Sequence, residues 1–327
     1  MKRTPVIPVL IAVLSMFIFS CKQKKAAHDN APYAFAGLTA ADITFARIDT
    51  NGYKEDLKLD VYMPQDTAGK TFPLTIYMHG GGFKEGEKSD GKNFCEMLAD
   101  KGFVVASINY RTGWEKGKDP CDLDTVAVKV AVYRALQDAH AAIRFLTANA
   151  ASYAADTNWT FLTGSSAGSI LSLGAHYYDQ QAADAFFGRI ADTLGPLYTF
   201  GNKYRGESVV KAMAAMWGGL NNPYLLTKDN GVPTIFFHGE KDNVAPWNVD
   251  YFYTCKNFFP CYGSKPLYER LDTLGIPVSA YIDPNGGHGV YPAAFRVDKI
   301  TDFFNGVMHN AVPKGFKIEK PGDIKQM

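Results

Sequence analysis

Four short motifs hold the residues whose types and spacing could do chemistry. In Gly164-Ser165-Ser166-Ala167-Gly168 a serine has glycines two places before and two places after it. The motif follows the strand-like run Trp159 to Leu162 and precedes the helix-compatible run Ile170 to Tyr178. A sharp turn there would lift the Ser166 hydroxyl out at the carboxyl end of a sheet, and glycines would let the crossing backbones pass closely. A serine so placed suits nucleophilic attack on an acyl carbon. A Gly-x-Ser-x-Gly pattern also arises by chance in a chain with 30 glycines, so its surroundings must carry the reading.

Attack on an acyl group produces a tetrahedral oxyanion, which is stabilised by donors already aimed at it. His79-Gly80-Gly81-Gly82-Phe83 directly follows the strand-like run Phe72 to Met78 and leaves backbone N–H groups accessible. The expected donors are Gly81 and Gly82, with Ala167 as a third; the bland alternative is a Gly-rich turn. The hydroxyl also needs a base. Of the seven histidines, His288 in Gly286-Gly287-His288-Gly289 is the one flanked by glycines after the last strand-like run, Val278 to Ile282. His140 and His176 fall in helical patterns instead. A neutral imidazole at His288 would take the serine proton and return it to the leaving group. The carboxylate that fixes its tautomer is expected to be Asp242, in His238-Gly239-Glu240-Lys241-Asp242 after the run Thr234 to Phe237. Glu240 is the rival. The alternative role for Asp242 is a helix N-cap, because Asn243-Val244-Ala245-Pro246 looks like a turn leading into a helix.

The elements that must position these groups read as α/β. Ile43 to Thr50 and Leu57 to Met63, parted by Asn51-Gly52, read as a β-hairpin with a primed turn. Apolar runs typical of buried parallel strands follow at Phe72 to Met78, Phe103 to Asn109, Trp159 to Leu162, Val210 to Met216, Thr234 to Phe237 and Val278 to Ile282. They alternate with amphipathic helical patterns at Asn93 to Lys101, Val126 to Ala148 and Lys265 to Leu274. The expected fold is one mostly parallel sheet with helices on both faces. The stretch from about Tyr177 to Gly206, rich in aromatics and glycine, leaves room for a small lid. Residues 40–310 form this domain, and 311–327 read as a C-terminal tail.

Thirty-four basic and 33 acidic residues, a formal charge of +1, provide no field for nucleic acid or an anionic membrane surface. No Cys/His spacing suggests zinc, and neither metal nor cofactor is called for. At the start of the chain, Lys2 and Arg3 precede an apolar run from Val6 to Phe19 that ends at Ser20-Cys21, the layout of a signal peptide over residues 1–20. The run is shorter than the roughly 20 apolar residues a spanning helix needs. Ile18-Phe19-Ser20-Cys21 resembles a bacterial lipobox, which implies lipidation at Cys21, a tether over residues 21–39, and an enzyme anchored to a membrane through that lipid alone, facing the periplasm or cell surface. The other four cysteines, Cys95, Cys121, Cys255 and Cys261, would then meet an oxidising compartment and allow three disulfide pairings. Closeness in sequence favours Cys255 with Cys261, leaving Cys95 with Cys121; free buried thiols are the alternative.

Taken together, the GxSAG and HGGGF motifs and the order Ser166, Asp242, His288 resemble the carboxylesterase and hormone-sensitive-lipase-like branch of the α/β-hydrolase superfamily, over roughly residues 40 to 305. Asn109-Tyr110-Arg111 and Asp138 are further matches of a structural kind. The branch's usual DPLxDE motif is not evident, and the HGEKD loop is more similar to that of dienelactone hydrolases and oligopeptidases. The resemblance implies a serine carboxylesterase that works through an acyl-enzyme on Ser166, acting on short acyl or carbohydrate esters such as acetyl or feruloyl groups. A serine aminopeptidase or amidase, or a non-catalytic binding module on the same scaffold, is the rival. Aromatic residues dense between Trp247 and Tyr262 either line an acyl pocket or pack a stapled loop.

Overall fold

The computed structural model describes residues 33–50, 53–115 and 121–319. The signal segment, Cys21 and the Asn51-Gly52 turn lie outside the described residues. Eleven strands are present among those described: β1 (Leu38–Thr50), β2 (Tyr53–Met63), β3 (Phe72–Met78), β4 (Val104–Ile108), β5 (Ala155–Ser165), β6 (Val210–Met216), β7 (Thr234–Gly239), β8 (Val249–Tyr251), β9 (Pro260–Tyr262), β10 (Val278–Asp283) and β11 (Gly315–Ile318). The helices are α1 (Lys92–Asp100), α2 (Thr125–Ala148), α3 (Ala167–Tyr177), α4 (Gln180–Phe187), α5 (Ala191–Leu194), α6 (Ser264–Thr273) and α7 (Ala293–Met308).

Nine strands make one sheet in the order β1-β2-β4-β3-β5-β6-β7-β10-β11. β1 pairs antiparallel with β2, and β2 antiparallel with β4. Every pairing from β4 across to β11 is parallel. Successive strand residues point to opposite faces, and here both faces are covered. Leu74, Ile76 and Met78 of β3 join one buried cluster with residues of α2, α3 and α6. Tyr77, between them, joins the other with residues of α1 and α7. Burial on both sides explains why these strands read as unbroken apolar runs and not as alternating ones.

The paired edge strands and the α/β alternation are as expected from the sequence, with two departures. Part of the stretch read as a tail, Gly315–Ile318, adds a parallel edge strand beside β10. The cysteine pairing is also different: Cys121 is joined to Cys255, and Cys95 and Cys261 are free and buried. Cys95 sits on α1 in the cluster on one face of the sheet, whereas Cys121 packs against the cluster on the other face. The sheet itself therefore keeps them apart, which closeness in sequence could not register.

Candidate active site

Ser166 occupies the turn between β5 and α3 with φ 54° and ψ −120°, a conformation that non-glycine residues seldom adopt and that persists only where surrounding structure enforces it. The enforcement is steric. A Cβ on Gly164 would lie 2.3 Å from the Gly168 carbonyl oxygen, and one on Gly168 would lie 1.9 Å from the Met78 carbonyl oxygen. The Ser166 amide donates to the Met216 carbonyl at 2.9 Å, which fixes the turn to β6 as well.

His288 comes from the loop after β10 and Asp242 from the loop after β7, and the structure brings both to Ser166. The His288 Nε2 to Ser166 Oγ distance is 2.8 Å, and His288 Nδ1 lies 2.8 Å from Asp242 Oδ2. An ionised carboxylate can only accept, so the ring proton belongs on Nδ1 and Nε2 is left to accept from the serine hydroxyl. The other oxygen, Asp242 Oδ1, accepts from the amides of Val244 and Ala245 at 2.8 and 3.0 Å. These are the bonds of an N-cap, yet no helix begins there and the chain continues into β8. Glu240, the rival carboxylate, is exposed.

Asp242 has a second histidine beside it. His238, fully buried, places Nε2 3.3 Å from Asp242 Oδ2 and 2.9 Å from the Ala245 carbonyl, with Nδ1 2.7 Å from Ser264 Oγ. The carbonyl requires a donor, so Nε2 carries the proton and Nδ1 accepts from the Ser264 hydroxyl. Burial alone would raise the Asp242 pKa, but the hydrogen bonds from His238 and His288 outweigh it and hold the carboxyl well below its ordinary value. The sequence offered no role for His238, since a histidine at the end of a buried strand carries no pattern of its own.

In the glycine loop, each carbonyl from His79 to Phe83 is tied back. Tyr110 hydroxyl donates to His79 at 2.7 Å, His79 Nδ1 to Gly80 at 2.7 Å, and the amides of Lys84 and Glu85 to Gly81 at 3.0 and 3.1 Å. The Trp114 indole donates to Gly82 at 2.8 Å and the Gly113 amide to Phe83 at 2.9 Å. Gly81 and Gly82 turn through φ 111° and 63°, and no acceptor among the described residues takes their N–H groups. Ala167, first residue of α3, has no acceptor within its helix, and the positive end of the helix dipole lies there. Gly82, Ser166 and Ala167 together line one hollow, and Gly81 does not. Arg111 anchors the Tyr110–Trp114 strap by an ion pair of 2.8 Å to the buried Asp138 on α2, the structural part its sequence context implied. Trp114 gave no comparable sign in the sequence.

The hollow is open to solvent, and its walls are mostly apolar. Phe186 and Phe187 of α4, within the stretch read as a lid, form one side. Phe252, Tyr253, Phe258 and Phe259 form another, so part of the aromatic-rich stretch does line a pocket. Trp247 does not: it packs against His238 and Phe316. Among the described residues no cluster of His, Cys, Asp or Glu could hold a metal.

An elbow serine, a histidine and a carboxylate from three loops at one end of a mostly parallel sheet define the fold class: the chain has the α/β-hydrolase fold. Within that class, the family model described as BD-FAE matches residues 59–218, just under half of the chain, a span that includes Ser166 and the glycine loop and ends before Asp242 and His288. Esterase B1 of Culex pipiens is 29% identical over 167 residues, 51% of this chain and 30% of that protein. Juvenile hormone esterase of Tribolium castaneum is 28% identical over 125 residues, 38% of this chain and 20% of that protein. The matched stretch thus spans less than a third of either relative. A truncated form of a carbohydrate esterase from gut microbiota superposes with a TM-score of 0.57 at 21% identity, covering 85% of this chain and 99% of that one, a likeness of fold.

Proposed function

We propose that this protein hydrolyses carboxylic esters through an acyl-enzyme on Ser166. The reading rests above all on the 2.8 Å contact between Ser166 Oγ and His288 Nε2. In the first half-reaction Oγ bonds to the acyl carbon while its proton passes to Nε2. The carbonyl π electrons move onto oxygen, where the N–H groups of Gly82 and Ala167 receive the negative charge, with Gly81 as a further donor. Donors of this kind are worth about 3 to 4 kcal/mol each to the transition state. Asp242 keeps the imidazole in the accepting tautomer and steadies the imidazolium that forms. Collapse of the tetrahedral adduct breaks the bond to the alcohol, which leaves with the proton from Nε2. Water then attacks the acyl-enzyme by the same route, His288 taking and returning its proton, and the acid departs.

The BD-FAE match and the likeness to a carbohydrate esterase support acetyl or feruloyl esters of carbohydrates as substrates. Lys2-Arg3, the apolar run to Phe19 and the lipobox-like sequence at Cys21 support export and anchoring of the enzyme by a lipid on Cys21, facing the periplasm or cell surface. Among the described residues no helix is long and apolar enough to cross a membrane.

Incubation with a fluorophosphonate probe tests the chemistry: wild-type protein is expected to label, and Ser166→Ala not to. Turnover of p-nitrophenyl acetate and of a feruloylated oligosaccharide, with an aminoacyl anilide beside them, then separates esterase from amidase. A folded wild-type sample that neither labels nor turns over any of them overturns the reading.

A further inference from the structure

His288 is absent from the walls of the apolar hollow that opens at Ser166, Gly82 and Ala167. If Ser166 forms an acyl-enzyme as proposed above, the leaving alcohol takes its proton from His288 Nε2 and must therefore lie on the His288 side. The hollow, which Ser166 lines and His288 does not, is left to the acyl group. It runs along α3, because Ala167, Ile170, Gly174 and Tyr178, spaced three or four apart, all face it. From Ser166 to Tyr178 the helix advances roughly 18 Å at about 1.5 Å per residue, far more than an acetyl group fills.

At the Tyr178 end the hollow adjoins a second one. Tyr178, Asn221 and Phe186 line both this hollow and a second, more open one, walled beyond them by Asp179, Gln181, Ala182 and Ala185. Those three side chains are the partition between the two spaces. The Tyr178 hydroxyl donates to Asn221 Oδ1, and burial raises its pKa, so it remains protonated and a donor. The Tyr178 ring stacks on Phe186 at 6.2 Å, and Phe186 meets Phe259 edge-on at 5.2 Å. Lys129 lies over the Phe186 ring at 4.7 Å and donates to its carbonyl at 2.6 Å, which pins α4 in place.

We propose that the partition of Tyr178, Asn221 and Phe186 is the end wall of the acyl site, that it sets an upper limit at acyl groups of medium length while admitting shorter ones such as acetyl, and that it alone separates this site from a passage to solvent. The wall is polar only where Tyr178 meets Asn221, so one side-chain truncation opens it while the apolar lining nearer Ser166 stays in place.

The test is a series of p-nitrophenyl esters from acetate through butyrate and octanoate to palmitate, with kcat/KM measured for each. Wild type is expected to fall off between octanoate and palmitate. Tyr178→Ala should raise the palmitate-to-butyrate ratio by about tenfold or more, the scale on which a hydrophobic pocket discriminates by size. Adding Ala185→Trp, which plugs the second hollow, should return the ratio toward wild type, whereas Ala185→Trp alone should leave it unchanged. Phe186→Ala removes another part of the same wall and serves if Tyr178→Ala does not fold. An unchanged ratio in a folded variant that still cleaves butyrate overturns the wall, as does a raised ratio that the plug fails to reverse. Wild type inert toward the whole series overturns the esterase reading instead.

Discussion

Asp242 divides its carboxylate between two tasks: Oδ1 holds the turn through Val244 and Ala245, and Oδ2 faces His288 with His238 alongside. Replacing it with Asn keeps the size but lets an amide donate where only an acceptor serves. The imidazole then flips its tautomer, and kcat is expected to fall on the order of 10⁴-fold while labelling of Ser166 slows and does not vanish. Stability should change with a definite sign. Because the hydrogen bonds of both histidines hold the folded carboxyl below its unfolded value of about 3.9, the unfolded chain binds the extra proton in acid. The contribution is fully present above that unfolded value and is lost as pH falls through the folded one. Urea unfolding of wild type and Asp242→Asn at a series of pH values should therefore show the largest gap above about pH 5 and convergence in acid. A gap that widens in acid contradicts the assignment. The serine, the histidine and the aspartate were all legible as motifs because each follows a strand in a turn or loop that carries glycine. His238 and Trp114 were not, since they act through partners that only folding brings near.

The elbow works because β3, β5 and the start of α3 touch through backbone alone. A methyl at Gly168 would fall 1.9 Å from the Met78 oxygen and 2.5 Å from the His79 oxygen, where β3 passes into the glycine loop. In an isolated helix Gly→Ala gains roughly 1 kcal/mol. Here no flexible side chain can yield, so overpacking of about 1–3 kcal/mol outweighs the gain and the loop must move. Gly168→Ala is thus expected to lower the melting temperature and to cost more in kcat than in KM, since displaced oxyanion donors act on the transition state. A variant that melts like wild type with unchanged kcat speaks against this packing. The central strands could be read from the sequence because both their faces are buried and their apolar runs are continuous. β11 could not: Phe316 and Ile318 are exposed at an edge, and four residues give no period. β8 and β9, three residues each, are equally silent, and the turn bonds of Asp242 imitate the opening of a helix that never forms.

Across the molecule, one disulfide among the described residues joins distant parts of the chain. Cys121 and Cys255 are 134 residues apart and join the approach to α2 to the segment that supplies Phe252, Tyr253, Phe258 and Phe259 to the hollow. Closing so long a loop restricts the unfolded chain by nearly 5 kcal/mol in the entropic limit, with about 2–4 kcal/mol usual in practice. Cys121→Ser is therefore expected to melt several degrees lower than wild type, and dithiothreitol to lower the wild-type melting point toward it. The aromatic wall loses its tie to the approach to α2, so KM should rise more for p-nitrophenyl octanoate, which reaches that wall, than for the acetate. A non-reducing digest read by mass spectrometry should contain the peptide that links Cys121 to Cys255. Recovery of a Cys255–Cys261 link in its place would refute the pairing, and with it the view that the disulfide ties the aromatic wall of the hollow to the loop before α2.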